Sequence, residues 1–331
     1  MEKKTALKIS IIGSGRLGST LACAIDNANS QEASIVSVSS RSEKSLLAAK
    51  ELLGDFSKKI FFTRDNFLAA KISNCIFICT PDDEIEKTCS EIFNAREAFD
   101  GGEEKKVTLS QPGAPPEASS NIKYPKKMIV FHFSGSKKTD VLDSAGKAGA
   151  SVACMHPLKS FASPRDAAKT LENILYGVTY DKNDINSKKT IDILLKILKG
   201  RTIFVENDKK ILYHACACIA SNYLVSLLDF ATDAGSEVGL DPQVFLSGLI
   251  NLSESTLLNI QKLGTKKALT GPIARGDLST INEHVETIES LNRSDIKELY
   301  EIMGRKTAKI ALENTWINDK TYNELVKILK K

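Results

Sequence analysis

The sequence predicts an α/β protein in which an N-terminal doubly wound, mostly parallel sheet is followed by an all-helical C-terminal part. Three observations carry this reading. Short β-branched runs alternate with amphipathic stretches through the N-terminal part. Strand signals stop near Glu206, and only helical periodicity follows. A glycine turn, Gly13-Ser14-Gly15-Arg16-Leu17-Gly18, joins the first strand to the first helix.

The elements follow in order. Strands are expected at Leu7–Ile12, Ser34–Ser39, Lys59–Thr63, Cys75–Cys79, Met128–Phe133 and Val152–Met155, with helices at Leu17–Asn27 and Lys44–Leu53 between them. Tyr176–Tyr180 and Thr202–Val205 extend the sheet, and Ile185–Leu198 between them has helical spacing. Beyond Asp208, helices are expected at Lys209–Val238, Pro242–Leu263, Leu278–Leu291, Asp295–Asn314 and Tyr322–Leu329. The domains are therefore 1–206 and 207–331. Asp100–Lys127 gathers glycines, prolines and charges and reads as a surface insertion.

Composition bounds the function. A chain of 331 residues with 42% hydrophobic and 26% charged residues has enough for two cores. A net charge of +4 on scattered lysines argues against nucleic acid as a partner. The cysteines number seven, and Cys75, Cys79, Cys216 and Cys218 sit in apolar runs, as buried thiols of a reduced compartment do. Cys216 and Cys218 are too close for zinc spacing, so no metal is expected. The run after Lys3 and Lys4 is broken by Lys8 and is too short for a signal peptide. Ala215–Leu228 contains Ser221 and Asn222 and falls short of a membrane span. A cytoplasmic location without a membrane partner is the expectation.

Position gives the glycine turn its meaning. Between a strand and a helix, Gly13 permits the tight turn, Gly15 lets the backbone approach a pyrophosphate, and Gly18 lets helix and strand pack closely. The unpaired N–H groups of the helix start then face two phosphates, with Ser14, Arg16 and Leu17 completing the loop. After the second strand stands Ser40-Arg41-Ser42, where an acidic residue would select NAD. A guanidinium and hydroxyls there suit a 2′-phosphate, so the expected cofactor is NADP(H). Thr80 and Pro81, at the end of the fourth strand, should line it, while Asp82 and Asp83 should cap the next helix.

The four histidines all fall in polar motifs. His132, before Phe133-Ser134-Gly135-Ser136, and His156, in His156-Pro157-Leu158-Lys159, end adjacent strands at the ligand edge of the sheet. On the helix that follows, His214, Cys218, Ser221 and Asn222 share one face at 3.6 residues per turn. His284 follows Thr270-Gly271-Pro272-Ile273-Ala274-Arg275-Gly276-Asp277, where Asp277 should cap its helix.

In this order, the glycine loop, His-x-Ser-Gly, His-Pro-Leu-x-x-Phe, Tyr213-His214-Ala215 with Ser221-Asn222, and Leu269 through Asp277 resemble the Rossmann-like oxidoreductases whose C-terminal part is catalogued as domain of unknown function 2520. The resemblance covers nearly the whole chain apart from Asp100–Lys127. That family is similar in architecture to pyrroline-5-carboxylate, ketopantoate and hydroxyisobutyrate oxidoreductases. The resemblance implies a helical C-terminal domain that dimerises, and ketopantoate reduction in pantothenate synthesis as the named activity. Better-known ketopantoate reductases place a lysine and an asparagine one turn apart on the first helix of the second domain. Here that helix offers His214 and Asn222, two turns apart, with Lys209 and Lys210 near its start.

The expected reaction is NADPH-dependent reduction of the carbonyl of a small acidic substrate, a 2-oxo acid. His214 would be the general acid, because imidazole titrates near neutrality, and Asn222 would hold the carbonyl oxygen. Arg275, Lys159 and the Ser134–Ser136 turn would hold the carboxylate, with His132, His156 and Asp277 at its edge. Imine reduction of the pyrroline-5-carboxylate type, or dinucleotide sensing without catalysis, are the alternatives.

Overall fold

The computed structural model describes residues 6–98, 127–161 and 163–330. The insertion expected over Asp100–Lys127 lies outside the described residues, save Lys127. The chain divides into two compact units, Met1–Cys218 and Ile219–Lys331. That division falls twelve residues later than Glu206, because the first helix after the sheet packs with the sheet.

The first unit is an eight-stranded sheet in the order β3-β2-β1-β4-β5-β6-β7-β8. The strands are β1 (Leu7–Ile12), β2 (Ala33–Ser39), β3 (Phe61–Thr63), β4 (Cys75–Ile78), β5 (Ile129–His132), β6 (Ser151–Pro157), β7 (Leu175–Tyr180) and β8 (Arg201–Phe204). Neighbours are parallel except β6 and β7, which run antiparallel with His156 opposite Gly177. The order reverses between β1 and β4, so their C-terminal ends flank the crevice where open sheets bind ligands.

Alternate residues of the central strands feed two cores. Ile9, Ile11, Phe77 and Phe131 face one side. Ile12, Ile76, Ile78 and Val130 face the other. Burial on both faces is why these strands read as nearly unbroken apolar runs. Helices α1 (Arg16–Asn27), α2 (Glu43–Leu53), α3 (Asn66–Lys71), α4 (Ile85–Ala98), α5 (Asp143–Lys147), α6 (Pro164–Lys169) and α7 (Ile185–Leu198) cover the sheet. Ser42 caps α2, Asp65 caps α3 and Asp184 caps α7 through side-chain oxygens. The short α3, α5 and α6 carry too few turns to show a periodicity in sequence.

The single helix expected over Lys209–Val238 is two: α8 (Lys210–Ala220) and α9 (Asn222–Glu237). Ser221 separates them: it stays in the right-handed region, but its φ of −116° with ψ −63° departs from helix geometry enough to break the hydrogen-bond run. On length and composition, Asn207–Glu237 is long and apolar enough to cross a membrane, with mean hydropathy 1.5 in its most apolar window. The shorter Ala215–Leu228 segment, read by itself, falls short of that length.

In the second unit, α9 packs on α10 (Pro242–Lys267), where Gly235 admits the ring of Phe245. The remaining helices, α11 (Pro272–Arg275), α12 (Leu278–Ser290), α13 (Ser294–Glu313) and α14 (Asp319–Ile328), enclose Ile281, Val285, Ala308, Ala311 and Leu325. Arg293 ties α9 to the start of α13 through Asp233, Glu237 and Asp295.

Candidate active site

The glycine loop leaves the end of β1 and turns into α1. Gly13 has φ +103°, and a Cβ there would sit 2.9 Å from the Cys79 backbone. A Cβ on Gly18 would collide with the Gly13 carbonyl, whereas one on Gly15 would meet nothing within 4 Å. Two of the glycines therefore hold β1, β4 and α1 together, and the third keeps open space at the start of α1. No side chain caps that start, and no acidic residue lies in its first turn. The hydroxyls of Ser14 and Thr80 are buried beside the loop without a hydrogen-bond partner among the described residues. Unsatisfied donors around an open helix start fit a dinucleotide pyrophosphate. Arg16 is exposed, Leu17 packs partly into the core, and Pro81 is exposed.

At the end of β2, Arg41 donates from Nη1 to Glu84 Oε2 at 3.1 Å, and Arg64 Nε donates to the Arg41 carbonyl at 3.2 Å. Ser40 pairs its backbone with Thr63, and the Ser42 oxygen caps α2. Both serine hydroxyls retain a proton to donate. The Ser40-Arg41-Ser42 turn thus fits a 2′-phosphate.

Asp82 does not cap the helix after it. Its Oδ2 accepts from Ser134 Oγ at 2.5 Å and Ser136 Oγ at 3.2 Å, which links the end of β4 to the turn after β5. The Ser134 oxygen also accepts the backbone N–H of Ser136 and Lys137. Its hydroxyl is spent on the turn, which makes Ser134 a positioning residue. Asp83 pairs with Lys137.

That turn places Gly135 against the histidines. A Cβ on Gly135 would lie 2.5 Å from His214 Nδ1 and 2.9 Å from His156 Nε2. His214 Nδ1 is buried without a hydrogen-bond partner among the described residues, and its Nε2 lies 3.7 Å from Cys218 Sγ. His156 Nδ1 is 3.0 Å from the Tyr213 hydroxyl. His132 is 0% exposed, and its Nδ1 accepts the Ser134 N–H, so it supports the turn.

Beneath these rings lies Lys210, 1% exposed. Its Nζ donates to the Ser134 carbonyl at 3.1 Å and to Cys154 Sγ at 3.0 Å. Burial first, and the Lys210 charge second, push His132 down to about 3 and His156 down to about 4. Both rings are therefore neutral donors or acceptors near pH 7. Burial also pushes the Tyr213 phenol up to about 12, so it keeps its proton.

Lys210 and Tyr213 stand out in the sequence as neighbours of His214, but no role in the site was expected of either. The signal was present: Lys210 and His214 are four apart, one turn, the spacing of the lysine and asparagine in ketopantoate reductases. Lys159 follows His156 at the end of β6, half-buried, with no side-chain partner among the described residues. The other expected residues belong to the second unit. Asn222 starts α9 and is exposed. Arg275 is exposed at the end of α11, and Asp277 caps α12 through Thr280, its expected capping role. His284 pairs with the Tyr300 hydroxyl at 2.8 Å.

Comparison with known proteins bears on the same segments. Residues 8–100 match the family model described as NADP oxidoreductase, coenzyme F420-dependent. Residues 176–307 match domain of unknown function 2520. The chain is a Rossmann-type NADP-dependent oxidoreductase. No curated protein sequence matches this oxidoreductase. Among solved structures, it is similar in fold to a Thermotoga maritima protein, 19% identical with TM-score 0.62, covering 93% of this chain and 99% of that one. A Bacteroides fragilis protein assigned as an NADP oxidoreductase is 18% identical with TM-score 0.64, covering 92% and 98%. A Coxiella burnetii pyrroline-5-carboxylate reductase is 15% identical with TM-score 0.54, covering 98% of each chain.

Two outcomes follow from the geometry of the oxidoreductase. Gly15→Ala should leave thermal unfolding of the free protein unchanged and weaken NADPH binding by about tenfold or more, read by fluorescence titration. Equal affinity in the variant would remove the loop from phosphate binding. Second, unfolded histidines bind protons near pH 6.5, while folded His132 and His156 resist to about 3 and 4. Between those values the unfolded state holds more protons, so stability falls as pH is lowered from 6.5 toward 4. Urea midpoints should show this slope, and His156→Gln should flatten it; an identical slope in the variant would contradict the burial argument.

Proposed function

We propose that this oxidoreductase reduces the carbonyl of a small 2-oxo acid, with ketopantoate as the substrate to test first. The observation that carries the reading is the convergence of His214 Nδ1 and His156 Nε2 on Gly135, above the buried ammonium of Lys210. NADPH, held by the Gly13–Gly18 loop, supplies the hydride. The protein must then stabilise the forming alkoxide and deliver one proton. His214 Nδ1, buried against the Gly135 turn, is the donating atom. The imidazolium form would pass its Nδ1 proton to the alkoxide, completing the alcohol and leaving a neutral ring. Tyr213 donates to His156 Nδ1, which leaves the His156 proton on Nε2 to hold the substrate oxygen. Lys159, on the same end of β6, is the cation for the substrate carboxylate.

The fold likeness to pyrroline-5-carboxylate reductase raises imine reduction as a second reading. The charge of the cluster favours the first. An ammonium beneath the site stabilises an alkoxide and repels an iminium cation. The reading rests on the first unit alone.

NADPH oxidation should be seen with ketopantoate or a related 2-oxo acid and not with cyclic imines; the reverse pattern would overturn carbonyl reduction. Binding without turnover on either class would instead indicate a sensor. His214→Ala should lower kcat on the order of a hundredfold with NADPH binding intact. Lys210→Met should lose turnover without losing stability, because replacing a buried ion by an apolar chain is often neutral or stabilising. A Met variant that turned over normally would make Lys210 structural.

We also propose that the chain forms a homodimer through the second unit. Val225 on α9 and Val244, Leu252, Leu257, Leu258 and Leu263 on α10 are all exposed. An apolar surface of this extent is unusual for a monomer, and a second copy would cover it. Sedimentation at micromolar concentration should give a dimer that Leu252→Glu with Leu257→Glu converts to monomer. A monomeric wild-type protein would refute the assignment.

A further inference from the structure

We infer that Arg64 is a second ligand of the cofactor 2′-phosphate and that Glu84 sets selectivity between NADP and NAD by competing for Arg41; this rests on the NADP reading above. The ends of β2 and β3 bring two arginines together. The Arg64 Nε donates to the Arg41 carbonyl, and Ser40 N–H donates to the Thr63 carbonyl, so the two turns are joined through their backbones. Beyond Nε, the Arg64 guanidinium has no partner among the described residues, and the residue is exposed. Arg41 is not free in the same way. Its Nη1 is paired with Glu84, in the turn after β4, with side chains 67% and 33% exposed.

A phosphate ester carrying two negative charges arriving at this corner meets Arg41⁺, Arg64⁺ and Glu84⁻. It gains two guanidinium contacts, and it must share or displace the carboxylate. A ribose with a free 2′-hydroxyl carries no charge. It gains little from Arg64, and Glu84 can remain in place as an acceptor for that hydroxyl. The carboxylate therefore penalises NADP and tolerates NAD, while Arg64 does the opposite. The pair tunes a preference that Arg41 alone would leave one-sided.

Exposed ion pairs are weak, so the expected effects are moderate. Fluorescence titration of the full chain with NADPH and with NADH separates the contributions. Glu84→Gln should tighten NADPH by about three- to fivefold and leave NADH unchanged or weaker. Arg64→Ala should weaken NADPH on the order of tenfold, with NADH unaffected, and Arg64→Lys should recover part of the loss. Raising the salt concentration should shrink both differences. If wild-type protein fails to bind NADPH, the NADP reading itself fails. If it binds NADPH and Arg41→Ala abolishes the preference, while the Glu84 and Arg64 variants match wild type or change both cofactors equally, this inference alone is overturned.

Discussion

Everything in the candidate site leans on one buried ammonium. Lysine is almost never fully buried without a counter-charge, and among the described residues no carboxylate lies within ion-pair distance of Lys210. Its contacts are a carbonyl and a thiol, Ser134 and Cys154. These bring the start of α8 onto the ends of β5 and β6. The same contacts carry a cost, since two neutral acceptors repay little of an ion's lost hydration. A fold selected only for stability would place an apolar chain there. Retention of charge at that depth suits a site that handles negative charge, and it adds to the burial that keeps His132 and His156 neutral.

Asp82 extends this constraint to the glycine loop. Thr80 belongs both to the wall of Gly13 and to the turn that ends in Asp82. Through Ser134 and Ser136, Asp82 fixes the turn that carries Gly135. The cradle for phosphates and the pair of imidazoles are thus connected by a short run of hydrogen bonds within one sheet edge. A disturbance at the Ser134 hydroxyl would reach both, because that oxygen makes contacts with Asp82, Ser136 and Lys137 at once.

The strands, the sheet-to-helix change and the glycine loop were legible in the sequence because each has a local signature: alternation, loss of alternation, and spacing. β1 spans Leu7–Ile12, the expected residues, and α7 spans Ile185–Leu198. What escaped was non-local. Ser221 interrupts a helix whose periodicity on both sides is sound, and nothing in its neighbours marks the break. Asp82 looked like a cap by position, but two serines far along the chain offer it better donors. Lys210 read as one of many helix-start lysines, since burial depends on β5 and β6 closing over it. The reversed direction of β7 likewise depends on its partner, because an antiparallel strand buried on both faces has the same composition as a parallel one.

Charge is also the strongest discriminator between chemistries on this fold. Reduction of a carbonyl builds negative charge on oxygen and then takes up a proton; reduction of an imine takes up its proton first and passes through a cation. A nearby ammonium favours the first charge and opposes the second. Here Lys210 lies at the base, Lys159 at the strand end, and an imidazole nitrogen of His214 is buried beside Gly135 with no hydrogen-bond partner among the described residues. Each of these is unfavourable in isolation. Together they fit the proposed carbonyl reduction, in which negative charge develops on the oxygen receiving hydride.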